Sequence, residues 1–418
     1  LTVTLFGTLR SPRNIVFGAG QRKALPQFAA KAGRRALVIT DERLAADPVF
    51  AELMAAVSAV GVETRIFAGV TAELPVECIA AGVEVGKAFE ADFVIGIGGG
   101  SCLDAAKVIA LLLTHGGKAS DYYGEFKIPG PILPLISLPT TSGTGSEVTP
   151  VAVLTDPDRA VKIGIASPYL ISETAICDPE LTYSCPPSLT AISGADALTH
   201  AIEAFTTARR EPYDSLVHDH VFLGKNAFSD NYALMAIGHI GASLEAAVDN
   251  GNDHVARERL MLGAMTAGLA FGTAGTAAAH AVQYPVGAMT HTAHGTGVAL
   301  MMPYVMQLNR DWCVEELIEI GTALGVNMVD GPRERMADAT IDRVADLFAS
   351  VGIPKTLADL GITRDQLPTV VEQALGSARL IKNNPRPLDV SSMTLLVEAA
   401  FTGDRAALRS QREQRKAS

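Results

Sequence analysis

Asp196 and His200 stand four residues apart in the stretch from Gly194 to Phe205, which is patterned as a largely apolar helix. A helix places residues i and i+4 on one face, one above the other. Far downstream, His280, His291 and His294 sit in a Gly- and Ala-rich context. One acidic oxygen with several imidazoles is a donor set suited to a divalent metal ion. The same residues admit a plainer reading, in which Asp196 caps its helix and His200 is a packed polar side chain.

A second kind of chemistry is written in Gly96-Ile97-Gly98-Gly99-Gly100-Ser101, between a predicted strand at 92–97 and a predicted helix at 103–113. Glycines let a backbone approach phosphate, and the helix that follows offers unpaired N–H groups. The glycine order and position differ from the usual dinucleotide fingerprint, which falls in the first strand–helix unit, so a tight packing turn is the alternative. Asp104 and Lys107 lie just inside that helix, where Asp104 suits the N-terminal dipole. Asp41 ends a predicted strand at 35–40. A carboxylate there can accept hydrogen bonds from an adenosine ribose and repel a 2′-phosphate, which favours NAD over NADP; a helix N-cap is the competing role. The stretch from Pro139 to Glu147 holds five hydroxyl residues and two glycines after a predicted strand at 132–138. Such a loop can hold a phosphate or a nicotinamide ribose, or cap a helix. Lys162 faces either the cofactor or solvent.

The elements that would position these groups follow a strand–helix alternation. Strands are expected at 14–17, 35–40, 63–67, 92–97 and 132–138, with helices at 21–32, 47–60, 75–88 and 103–113. This is the rhythm of a parallel sheet covered by helices. Hairpin-like strands at 149–155 and 161–165 are split by Asp156-Pro157-Asp158. Pro186-Pro187 marks a boundary between an α/β domain, 1–187, and an all-helical domain, 188–418. Helices are expected there at 189–207, 228–249, 254–271, 273–287, 296–307, 313–323, 336–349, 365–377 and 390–402. Residues 208–227 read as an inserted loop or short helix, with His218 and His220 as surface histidines. The Gly- and Ala-rich run 263–281 can bring helices close together. The tail from 403 is polar and frayed.

The whole-chain totals exclude several classes. With 418 residues, 48% hydrophobic and 19% charged, the chain can bury a large core. A net charge of -11 argues against a nucleic-acid surface. The five scattered cysteines fit a reducing compartment. No leader and no convincing membrane span is read, so a cytoplasmic setting without membrane partners is expected.

Gly98-Gly99-Gly100-Ser101-Cys102-Leu103-Asp104-Ala105-Ala106-Lys107, the Pro139–Glu147 loop, Asp178-Pro179-Glu180-Leu181, the Gly194–Phe205 stretch and His294-Gly295 together resemble the iron-containing (group III) alcohol dehydrogenase family. Its fold also resembles glycerol dehydrogenase and dehydroquinate synthase. The resemblance implies an N-terminal dinucleotide domain, an all-helical C-terminal domain, and a cleft between them. It implies that Asp196, His200, His280 and His294 hold iron(II), or zinc. It implies that Asp41, Gly98, Gly99, Ser101, Asp104, Thr140, Thr141, Thr144, Lys162 and Leu181 bind NAD. The substrate would be a small alcohol, aldehyde or hydroxyacid, and the assembly a homo-oligomer, with a dimer favoured. Tyr284 stands where many members carry a further histidine. This tyrosine, the 208–227 insertion and Lys162–Ser167 resemble the hydroxyacid-oxoacid transhydrogenase branch, which oxidises 4-hydroxybutyrate and reduces 2-oxoglutarate; a longer loop after Gly287 in its animal members is missing. His291 is read as a supporting group or proton shuttle, or as a surface residue. A carboxylate substrate would require a basic residue near the metal, and sequence does not place Arg209, Arg210 or Lys225 there.

Overall fold

The buried strands of this chain are continuous apolar runs, as expected for a sheet covered on both faces. The computed structural model describes residues 5–156, 161–327 and 331–409. The residues 157–158 expected to split the hairpin, and the tail from 410, lie outside them. The chain divides into two compact units. One comprises residues 9–185 and 214–221; the other comprises 1–8, 186–213 and 222–418.

In the first unit, β1 (Asn14–Phe17) leads through a turn of 3-10 helix at Gln21–Ala24 into α1 (Leu25–Ala32), where a single helix was expected. Then come β2 (Arg35–Ile39), α2 (Glu42–Ala45), α3 (Pro48–Ala59), β3 (Glu63–Phe67), α4 (Val76–Phe89), β4 (Phe93–Gly98) and α5 (Gly100–His115). β5 (Gly124–Glu125), β6 (Leu135–Pro139), β7 (Val151–Asp156), β8 (Val161–Ala166) and β9 (Thr174–Cys177) complete the strands. The main sheet is wholly parallel, in the order β1-β9-β6-β4-β2-β3. After β3 the chain crosses to the other side of β2 to form β4, so the strand order reverses between β2 and β4. Open parallel sheets bind ligands outside the carboxyl ends of their strands at such a reversal. β7 and β8 pair antiparallel in a small second sheet, with β5 parallel to β8.

The other unit is helical. It begins with α6 (Pro187–Thr206), whose proline at the first turn needs no N–H partner. The inserted segment then supplies the short α7 (Leu216–Asp219), which groups with the first unit. Arg10 donates to the carbonyls of Val217 and Val221, which ties this segment down. His218 is exposed and His220 half-buried. Next are α8 (Ala227–Gly241), α9 (Leu244–Asp249), α10 (His254–Ala274), α11 (Ala278–Thr290) and α12 (His294–Asn309). The helix expected over 228–249 is thus broken at Ala242-Ser243. α13 (Val314–Ala323), α14 (Arg333–Ser350), α15 (Leu367–Gly376), α16 (Ala378–Asn383) and α17 (Val390–Thr402) follow. α10 is apolar nearly all round and packs on α6 and α8, the burial such a pattern demands. Among the described residues no single helix is long and apolar enough to cross a membrane; α10 and α11 pass that test only as a pair bent by 102°.

Two buried ionic groups hold the hydroxyl-rich loop to α5. Lys107, wholly buried, donates to the Thr149 and Val151 carbonyls at 2.9 and 2.8 Å. Burial pushes its ammonium down to about 8, against the pull of Asp104 and Glu147. Burial pushes the Glu147 carboxyl up to about 7, which the Lys107 charge and the Cys177 thiol partly oppose. A folded-state value above the ordinary 4.5 means that the folded chain holds this proton more tightly. The associated stability is complete below the unfolded value and is lost as pH rises through the folded one. Glu147→Gln, neutral at every pH, is therefore expected to melt progressively higher than the wild type as pH rises from 5 to 8. Parallel melting curves across that range would contradict this assignment.

Candidate metal centre and nucleotide loops

Three helices bring one carboxylate and three imidazoles to one point. Asp196 and His200 lie in the middle of α6 and are 3% and 5% exposed. His280 is near the start of α11 and is 3% exposed, and His294 opens α12. His200 Nε2 is 3.7 Å and His294 Nε2 4.0 Å from Asp196 Oδ1. One ligand atom from each of the four lies within 4.8 Å of all the others. Donors around a single tetrahedral ion, bonded at about 2.1 Å, stand about 3.4 Å apart. The group therefore needs only a small contraction to share one ion.

The close approach of α12 to α6 depends on Gly295. A Cβ there would lie 2.6 Å from the Ile192 carbonyl oxygen and 3.0 Å from the Asp196 Cβ. His200 stacks between Phe271, with ring centroids 4.2 Å apart, and His280, at 4.8 Å. Burial, with the neighbouring His280, holds the His200 pKa well below 6.5. A neutral imidazole is the form a metal requires.

Glu203 is absent from the set expected from sequence. It is 1% exposed and lies three residues after His200, on the same face of α6. Its carboxylate accepts from the backbone N–H groups of Ala277 and Ala279 at 2.9 and 2.8 Å, and from His280 Nδ1 at 2.6 Å. With Nδ1 donating, the lone pair of His280 is on Nε2, which is buried without a hydrogen-bond partner. A buried acceptor in that state fits a cation, and a carboxylate behind a ligating histidine raises its basicity and fixes its ring. The seven-residue step from Asp196 to Glu203 was the available sequence signal.

Two further expected residues lie outside the four. The Tyr284 ring is 6.3 Å from that of His294. Burial raises its phenol pKa, the Arg379 charge opposes this, and Glu203 and Asp196 add to it, so the phenol stays protonated. His291 is exposed and caps α11 in the left-handed region, at φ 55°.

Of the residues expected to bind nucleotide, Asp41 follows β2, and Gly98, Gly99 and Ser101 lie at the end of β4. Gly98 has φ 151°, and a Cβ on it would lie 2.6 Å from Cys102 Sγ. Gly99 is the N-cap of α5, and the first turn of a helix has N–H groups without intrahelical partners. The hydroxyl loop lies over these glycines: Thr140 N–H donates to the Gly98 carbonyl, and Cβ atoms on Gly99 and Gly100 would meet Thr141 and Thr144. Thr40 Oγ1 and Ser142 Oγ are buried without hydrogen-bond partners, which fits a polar ligand here.

Other members of the expected set are already engaged. Asp41 caps α2 by accepting from Leu44 N–H at 2.8 Å, and its other oxygen lies beside the Cys102 thiol. Both Asp104 oxygens are taken, by the Ser146 hydroxyl at 2.6 Å and Val153 N–H at 2.8 Å. Lys162 pairs with Glu73. Leu181 follows Asp178, a wholly buried carboxylate that accepts from Gly20, Arg22 and Glu180. The N-cap role of Asp41 was the alternative read from sequence, whereas the partners of Asp104 and Lys162 lie far away along the chain.

Residues 12–179 match the sequence profile of iron-containing alcohol dehydrogenases, and residues 190–401 match the C-terminal profile of the same family. The chain belongs to the iron-containing alcohol dehydrogenase family. It is 36% identical to a long-chain-alcohol dehydrogenase of Geobacillus thermodenitrificans, over 91% of this chain and 92% of the relative. The crystal structure of a 1,3-propanediol oxidoreductase superposes with a TM-score of 0.88 at 29% identity, covering 95% of this chain and all of the other. A sulfoacetaldehyde reductase from Bifidobacterium kashiwanohense, solved with NAD+, superposes at 0.82 with 27% identity, covering 96% of this chain and all of the other. The protein is thus a metal-dependent, NAD-linked oxidoreductase acting on alcohol- or aldehyde-like substrates, with the α/β and helical halves of that family.

Glu203→Gln is expected to weaken metal affinity roughly 10- to 100-fold, because an amide neither fixes nor charges the His280 ring in the same way. Competition with a chromogenic chelator measures this directly. Unaltered affinity would give Glu203 a purely structural role.

Proposed function

We propose that the enzyme moves a hydride reversibly between NAD and a primary alcohol or hydroxyacid, with Asp196, His200, His280 and His294 holding iron(II), or zinc. The observation that carries this reading is the buried His280 Nε2, aimed at the other three donors by Glu203. When bound, the ion supplies Lewis acidity that lowers the pKa of an alcohol and polarises a carbonyl. The protein's own groups hold the donors in place and keep His200 neutral. Tyr284 stays protonated beside His294 and so donates a hydrogen bond to substrate rather than acting as a base.

We assign nucleotide binding to 1–187 and metal binding with catalysis to 188–418. The diphosphate would rest on Gly98, Gly99 and Ser101 at the start of α5, with Thr140, Thr141 and Thr144 above it. Asp41 would favour NAD through its thiol-side oxygen. Asp104, Lys162 and Leu181 would act by shaping this site, since Asp104 and Lys162 have protein partners. The named relatives act on long-chain alcohols, 1,3-propanediol and sulfoacetaldehyde, which supports a substrate carrying one reacting oxygen and a variable remainder. The scattered spacing of the five cysteines is compatible with a cytoplasmic setting, and a homodimer is the assembly the resemblance implies. The transhydrogenase alternative uses the same site but retains NAD between an alcohol and an oxoacid half-reaction, the role in which Tyr284 would position an acid.

His280→Ala is expected to lose metal-dependent turnover by at least about 100-fold while keeping its far-UV circular dichroism and its NAD affinity. Wild-type turnover in that variant would reject the ligand assignment. Turnover of 4-hydroxybutyrate with 2-oxoglutarate and no added NAD would favour the transhydrogenase form.

A further inference from the structure

Arg379 is a basic side chain on a helix brought against that of His280 from a distant part of the sequence. It is the second residue of α16, which packs on α11, the helix of His280 and Tyr284. Its guanidinium carbon sits 4.4 Å from the centroid of the Phe222 ring, a contact that holds the side chain in place. Its Nη1 is shielded from solvent and has no hydrogen-bond partner. A buried charged donor without an acceptor is costly, and the guanidinium fork matches a carboxylate in shape and charge. The groups whose charges act on Tyr284 are Arg379, Glu203 and Asp196. Both carboxylates already serve the metal centre; Arg379 does not. Two other basic candidates are committed: Arg209 pairs with Asp230, and Lys225 pairs with Asp230 and donates to the Phe205 carbonyl.

We propose that Arg379, with the Tyr284 hydroxyl, binds the carboxylate of a short ω-hydroxy acid whose alcohol end reaches the four metal-binding side chains. The inference rests on the metal-centred reading above and narrows it. The enzyme's substrates are then hydroxy acids and the corresponding aldehyde acids, selected over neutral alcohols of equal length. Phe222 below the guanidinium keeps its fork oriented, so binding the acid costs little rearrangement.

The test compares Arg379→Met, which keeps the apolar stem over Phe222, and Arg379→Lys with the wild type. ω-Hydroxy acids of three to six carbons are assayed against 1-alkanols of the same lengths. In Arg379→Met the ratio of kcat/KM for acid to alkanol is expected to fall roughly 10- to 100-fold, chiefly through KM, with Arg379→Lys in between. Calorimetric binding of butanoate to each protein gives a readout independent of turnover, and its affinity should fall in the same order. An unchanged ratio with unchanged butanoate affinity would overturn the proposal. If the wild type turned over no alcohol at all, the metal-centred reading would fail, and butanoate affinity alone would still decide whether Arg379 is an acid-binding residue.

Discussion

One carboxylate carries more of this structure than its size suggests. Glu203 closes the gap between α6 and α11 by accepting two backbone N–H groups and one imidazole N–H. A helix start leaves N–H groups unsatisfied, and a buried carboxylate leaves negative charge unsatisfied; each remedies the other. The third bond turns His280 so that its free nitrogen meets His200, His294 and Asp196. Helix capping and metal-ligand orientation are thus the same interaction.

The packing around this bond explains the composition of the helical unit. Imidazoles cannot gather unless their helices come close, and Gly295 permits α12 to press against the Ile192 carbonyl. α10 supplies Phe271 as a flat wall against His200. In the α/β unit the same logic serves a different ligand. Gly98 and Gly99 open the end of β4, while Lys107, Asp104 and Glu147 spend their charge within the protein to hold the overlying loop. Thr141 and Thr144 stay half-buried over the start of α5, where the proposed nucleotide would rest.

Much of this was legible in the sequence because it is local. The parallel strands show as apolar runs, and β1 and β3 fall at the expected residues. The spacing of Asp196 and His200 places them on one helix face, and the glycine run marks the end of β4. What was not legible depends on partners far apart in the chain. Glu203 meets His280 seventy-seven residues on, and α16, which carries Arg379, packs on α11 from far along the chain. Asp104 and Lys162 carry the residue types of a ligand site but are engaged by Ser146, Val153 and Glu73. Asp41, expected as a ribose acceptor, caps a helix, because both roles use a carboxylate at a strand's carboxyl end. Residue type announces a chemical capacity; the fold decides which partner takes it.

The proposed chemistry turns on four side chains of the helical unit sharing one metal ion. X-ray absorption spectroscopy at the iron edge, on protein loaded with one equivalent of iron(II), tests it most directly. The account predicts a first shell of three imidazole nitrogens and one carboxylate oxygen at about 2.0–2.2 Å, with solvent oxygen completing it. A shell without imidazole scattering, or iron bound no more tightly than to unfolded protein, would contradict it.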